Sequence, residues 1–170
     1  MKKSLLLLFA IICISIFGQE KKFSTTEFRV TGLVKKELVI SLHDIEKYPA
    51  QNIKDLTITN HLGDARYTAK NLKGILLKDL LKDLQINEDS PKKLSEFYFV
   101  FTAIDNYKVV FSWNEIFNSS TGDNIYVITK KDGTKIKDMD DRILIVTTSD
   151  FKTGRRHIKA LSKIEVKRAQ

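Results

Sequence analysis

The stretch that decides the fold is Phe28-Arg29-Val30-Thr31-Gly32-Leu33-Val34-Lys35-Lys36-Glu37-Leu38-Val39-Ile40-Ser41-Leu42-His43-Asp44-Ile45. Phe28, Val30 and Leu33-Val34 predict a first strand, Lys35-Lys36 the turn, and residues 37–40 a second strand. Ser41-Leu42-His43-Asp44 has the spacing of a capping box. The hydroxyl accepts from the N–H three residues on, and the acid reaches back to the first N–H. The helix that follows must be short, because Pro49 has no N–H to continue it.

The same alternation continues outward. Residues 53–59 read as a strand, Gly63-Asp64 as a turn and 65–72 as its return strand. Leu76, Leu77, Leu80, Leu81 and Leu84 fall at helical spacing, so 76–84 reads as an amphipathic helix. Residues 87–93 form a polar loop around Pro91. Residues 96–103 and 107–111 flank Ile104-Asp105-Asn106 and should pair as a hairpin. Ser112-Trp113-Asn114-Glu115 is a second capping box, opening a helix to about Asn118. Residues 125–129 form a strand before the Lys131-Asp132-Gly133 turn. Residues 142–147 (RILIVT) read as a central apolar strand, and 158–166 as the last one. Short strands interrupted by short helices, without β-α-β alternation, predict an α+β fold. It is a single domain, at 27–168, of mixed and antiparallel β-sheets, not a doubly wound parallel one.

Composition agrees. At 170 residues one domain is expected. With 42% hydrophobic and 29% charged residues, wholesale disorder is excluded. Two prolines and seven glycines exclude collagen-like and linker-like chains. The single cysteine, Cys13, excludes a disulfide framework and multi-cysteine metal sites.

Cys13 lies in MKKSLLLLFAIICISIFG, residues 1–18. Lys2-Lys3 followed by an apolar run to Phe17 and Gly18 reads as a secretory signal peptide. The apolar run is shorter than the roughly 20 residues a transmembrane helix needs. An uncleaved anchor is the alternative. Ile12 before Cys13 argues against a lipoprotein, and the lack of an Arg-Arg pair favours export as an unfolded chain. Cleavage after Gly18 leaves a flexible polar segment, 19–26, and a mature chain with no thiol and no membrane anchor. Losing Lys2 and Lys3 takes the net charge from +8 to +6. The protein is expected to be exported, periplasmic or secreted.

Few residues carry recognisable chemistry. No serine has the setting of an activated nucleophile. His43, His61 and His157 are scattered, and His43 reads as a helix residue. Asp138, Asp140 and Asp141 lack the glycine and terminal glutamate of a calcium loop and read as a solvated turn. The richest segment is Lys152-Thr153-Gly154-Arg155-Arg156-His157-Ile158-Lys159. Arginine forks suit phosphate or carboxylate oxygens, and glycine lets backbone approach a ligand. In extended backbone Arg155 and His157 share one face and Arg156 takes the other, unless Gly154 turns the chain. The plainer reading is a solvated basic turn. The lysines are dispersed and no aromatic–basic motif appears, so nucleic acid is not an expected partner.

Several of these pieces, in order, form a resemblance. They are Phe28–Val34 with Ile40–Ile45, then Gly74-Ile75-Leu76-Leu77-Lys78-Asp79-Leu80-Leu81, and Ala103-Ile104-Asp105-Asn106-Tyr107. Arg142–Val146, Gly154–Lys159 and Ile164–Val166 complete them. The set resembles the oxidoreductase molybdopterin-binding domain, the sulfite oxidase fold. That resemblance implies molybdopterin as cofactor, with a cysteine thiolate on molybdenum before the Gly74 helix. Here Thr59 or Asn60 stands there, and neither replaces a soft thiolate. By the same resemblance Asn60 and His61 fall at the metal end of the pocket. Arg142, Arg155, Arg156, His157 and Lys159 match the basic residues around the pterin phosphate.

The expectation is therefore an exported, non-redox binding module for an anionic small molecule, with a pterin as one candidate. Two alternatives stand beside it. One is an active molybdenum oxidoreductase with non-cysteine ligation through His61 and Asn60. The other is a domain that binds an envelope protein or polymer.

Overall fold

The opening unit forms as its sequence directs, except that the first strand stops at Gly32 and Val34 bridges Ile86 instead. The computed structural model describes residues 24–170. β1 (Glu27–Gly32) pairs antiparallel with β2 (Leu38–Ser41), and α1 (Leu42–Glu46) follows. The Asp44 N–H donates to the Ser41 hydroxyl at 3.2 Å, and the Ser41 N–H donates to the Asp44 carboxylate at 3.1 Å. Residues 1–18, expected to be a signal peptide, and residues 19–23 lie outside the described residues. Thr25 and Thr26, which end the polar segment, are tied into the domain. The Thr25 hydroxyl donates to the Leu161 carbonyl at 2.8 Å and accepts from the Ile143 N–H at 3.1 Å. The Leu42 N–H donates to the Thr26 carbonyl.

Further strands follow: β3 (Gln51–Ile53), β4 (Leu56–Thr59), β5 (Ala65–Ala69) and β6 (Leu72–Leu76). After α2 (Leu77–Leu80) come β7 (Phe97–Ala103), β8 (Lys108–Ser112) and α3 (Trp113–Phe117). The chain ends with β9 (Ile125–Lys131), β10 (Thr134–Lys135), β11 (Ile145–Thr147) and β12 (Leu161–Arg168). One sheet has the order β2-β1-β12-β7-β8, the second β10-β9-β6-β3 with β11 on β9, and β4-β5 is a separate hairpin. In the first sheet β1 and β12 run parallel and the other pairs are antiparallel. This is the expected α+β domain with mixed and antiparallel sheets. One hydrophobic core draws on both large sheets, with Phe28, Phe99, Phe101 and Phe111 fully buried. No helix among the described residues is long and apolar enough to cross a membrane.

Six further local expectations are corrected. The 53–59 strand is two, β3 and β4, which belong to different sheets. Its return partner also splits, at Asn71, whose φ of 51° turns the chain between β5 and β6. The leucine-spaced helix over 76–84 is a strand end, one helical turn and a loop. The reason lies one residue upstream of Ile75. A Cβ on Gly74 would lie 2.8 Å from Ile53 Cδ1 and 3.0 Å from the Val127 carbonyl, so β6 is pressed between β3 and β9 as a central strand. The loop at 87–93 ends in a 3-10 turn, Pro91–Glu96. The 142–147 strand shortens to β11, which pairs only with β9 and an isolated bridge at Ile158. The centre of the first sheet is instead β12, which begins at Leu161, not Ile158.

Candidate functional site

A single buried hydroxyl fastens the basic loop to the β4–β5 hairpin. Thr153 accepts from the Thr59 N–H at 3.0 Å and donates to the Thr57 carbonyl at 2.7 Å. Beside it Gly154 is required by space: a Cβ there would lie 1.9 Å from the Thr59 carbonyl oxygen. The Arg155 guanidinium donates to the His61 carbonyl from Nε and Nη2, at 3.2 and 2.9 Å. The Tyr107 hydroxyl donates to the Arg155 carbonyl at 2.6 Å. Residues 59–61, 153–155 and 107 therefore meet at one end of the fold.

Within that cluster Asn60 has a local role. Its Oδ1 accepts from the N–H groups of Leu62, Gly63 and Asp64, and its Nδ2 donates to Asp64 at 2.9 Å. The amide holds the hairpin turn. His61 is exposed and contributes its carbonyl.

The loop itself is a 3-10 turn, Thr153–Arg156, not extended backbone. The turn sends Arg155 outward and Arg156 inward. Arg156 ion-pairs with Asp150 and, at 2.9 Å, with Glu115, while its guanidinium lies 4.6 Å from the Phe111 ring centre. Glu115 is also the acid of the second capping box. Burial pushes the Glu115 carboxyl up. The Ser112 N–H and hydroxyl and the Arg156 charge outweigh it and hold the group below its usual range. Arg142 is drawn elsewhere. Its Nη1 donates to the Lys137 and Met139 carbonyls, both at 3.2 Å, and its Nε is buried without a partner. No described contact joins it to Asn60, His61 or Arg155.

His157 and Lys159 meet at a different feature. With Ala103, Asp105 and Tyr107 they line a pocket of about 210 Å³. Burial, reinforced by the Lys159 charge, lowers the His157 imidazole from 6.5 to about 4, so it is neutral at pH 7. The Tyr107 N–H donates to Asp105 at 2.9 Å. Asp105 and Tyr107 were legible only as part of the hairpin motif; nothing in their spacing announced a pocket wall. A larger groove of about 640 Å³, with Trp113, Phe117 and Leu84 in its walls, contains none of the predicted site residues.

Comparison with solved structures places this architecture. The chain is similar to a chain of sulfane dehydrogenase SoxCD from Paracoccus pantotrophus. The TM-score is 0.59 at 13% identity, over 82% of this chain and 37% of that one. The likeness is a distant fold relationship, consistent with a sulfite-oxidase-like fold. The chain spans a little over a third of that neighbour's length. No family model matches the chain, and no curated protein sequence does.

The residues do not fit a molybdopterin held as the resemblance implies. The described residues contain no thiol, since Cys13 lies outside them. Gly154 packs directly on Thr59, one of the two positions where the resemblance would put the thiolate. Arg156 is turned inward onto two carboxylates. No group of three or more His, Cys, Asp or Glu among the described residues is placed to hold a metal ion.

Proposed function

We propose that this chain is an exported, non-redox binding domain that holds a small anionic molecule in the pocket of Tyr107, His157 and Lys159. The supporting observation is the pairing of one flexible cation, Lys159, with a buried imidazole kept neutral, around a space of about 210 Å³. That volume falls below the roughly 300–1,000 Å³ of pockets for drug-sized ligands, and so favours a ligand smaller than a pterin. Asp105 on the same wall favours a carboxylate that also carries a hydroxyl or ammonium donor. The reading in which His61 and Asn60 ligate a metal has less support, because the Asn60 amide is engaged within its own turn.

The test is calorimetric titration of the protein with a panel of small hydroxy- and amino-carboxylates. Binding should weaken at least tenfold in Lys159→Gln, with the melting temperature unchanged within about 1 °C, since Lys159 is exposed. Equal affinity in that variant would remove the pocket from consideration. Near-stoichiometric molybdenum in protein purified from its host would overturn the non-redox reading. Mass analysis of the exported form should find Gln19 as its first residue.

A further inference from the structure

Two loops form one tip, and the tip carries apolar side chains in water. Phe151 is fully exposed at 101%, and Leu62 is 65% exposed. They stand on different segments, but the segments are fastened together. Thr153 bridges β4, Arg155 grips the His61 carbonyl, and the Lys152 stem passes over Gly63, with Cε 3.4 Å from where a Cβ would be. Tyr107, 40% exposed, is bonded to the same loop. Single exposed apolar residues are ordinary on protein surfaces. A fully exposed aromatic ring next to a loop fastened by Thr153 and Arg155, beside a second exposed apolar side chain, is a different arrangement.

Two cations, Lys152 and Arg155, flank it, with the Asp64 carboxylate beside them. Lys152 forms no ion pair among the described residues, and Arg155 bonds only a carbonyl. Asp150 is ion-paired with Arg156, while Asp64 and Asp105 accept from the neutral Asn60 amide and Tyr107 N–H and keep their charge. The tip therefore presents Phe151 and Leu62 beside two cations without a carboxylate partner, Lys152 and Arg155, which outnumber the adjacent Asp64. Lys and Arg can lay their stems along apolar surface while their charges reach outward.

We propose that this tip docks on an anionic lipid surface, with Phe151 and Leu62 entering the headgroup–acyl boundary and Lys152 and Arg155 on the phosphates. A fluid lipid layer closes around a protruding ring without a preformed socket. A protein partner would need a pocket shaped to it. The attraction is the sum of buried apolar area and cation–headgroup contacts, so it weakens with salt. This surface adjoins the small-molecule pocket at Tyr107, but its lipid contacts use Phe151, Leu62, Lys152 and Arg155, none of which lines that pocket.

The experiment places an indole reporter at the tip. Phe151→Trp and, as a control on the distant edge strand β2, Val39→Trp are made in the full chain. The native Trp113 is a constant background in both. Each variant is mixed with vesicles of brominated phosphatidylglycerol, or of brominated phosphatidylcholine alone. With the anionic vesicles, the added signal of Phe151→Trp should shift to the blue and fall at least twofold, and that of Val39→Trp should not change. Raising salt should reverse the effect, and Lys152→Gln should weaken binding by about fivefold, as expected for one cation at such a surface. The proposal is overturned if the indole at the tip stays as water-exposed as the one on β2. It is equally overturned if both reporters are quenched alike, which would place the attachment elsewhere on the chain. Quenching at the tip that ignores lipid charge and salt would also overturn it.

Discussion

Replacing Arg156 by alanine separates two roles that the basic loop could give it. The family resemblance sets Arg156 among the basic residues around a pterin phosphate. In the fold it is a brace between the loop, through Asp150, and the capping acid of α3, Glu115. Hydrogen bonds to charged partners contribute about 1.5–3 kcal/mol each when shielded. The Asp150 side chain is 13% exposed and that of Arg156 22%, so their contact belongs near about 2 kcal/mol. The Glu115 side chain is 39% exposed, which reduces its share to about 0.5 kcal/mol. The guanidinium over Phe111 adds about 0.5 kcal/mol. The expected loss is about 3 kcal/mol, or roughly 6–12 °C in melting temperature for a domain of this size. Urea unfolding with linear extrapolation reads it directly, and Arg156→Lys should recover about half, because an ammonium lacks the two-pronged geometry. The pH dependence has a definite sign. Glu115 has a lowered folded-state pKa, so its stabilisation is present above its usual 4.5 and is lost as pH falls through the folded value. Arg156→Ala should shallow that acid limb. A stability change under about 0.5 kcal/mol, combined with a loss of small-anion binding, would refute the brace and restore Arg156 as a ligand.

Two further outcomes follow from the same loop. Gly154→Ala must push a methyl group against the Thr59 carbonyl, so it should cost about 1–3 kcal/mol and weaken the Thr153 bridge; amide exchange at Thr59 would rise, and an unchanged exchange rate would argue against the contact. His157, lowered from 6.5 to about 4, stabilises the fold fully above pH 6.5 and progressively less as pH falls towards 4, so His157→Gln should flatten the stability profile between pH 7 and 5; an unaltered slope would mean that another group titrates there.

What could be read from the residues was local and what could not was mutual. Both capping boxes formed, because Ser41 with Asp44 and Ser112 with Glu115 need only their own four residues. The β7–β8 hairpin formed around Ile104-Asp105-Asn106 for the same reason. The leucine pattern failed because helical spacing at 76–84 was also compatible with a strand end followed by one turn, and the choice is made by β3 and β9 crowding Gly74. Residues 142–147 looked central from apolarity alone, but a buried edge is as apolar as a buried centre. In the site, the basic loop was visible as composition, while the direction of each arginine was not. Arg156 finds Glu115 across 41 positions, and Arg155 finds the His61 carbonyl across 94. Such partners are set by the turn at Thr153–Arg156 and by how the hairpin lies on it.

The position of β12 bears on the order of events in a growing chain. It follows the other four strands of its sheet in the chain, yet it lies between β1 and β7, with Lys163 opposite Arg29 and Ile164 opposite Phe101. A nascent polypeptide can complete the β1–β2 and β7–β8 hairpins as they emerge, but the five-stranded sheet has no middle until residues 161–168 leave the ribosome. Closure waits for a contact between the two ends of the domain, the kind of non-local pairing that slows assembly. Until then the hairpins of the first sheet lack their common partner.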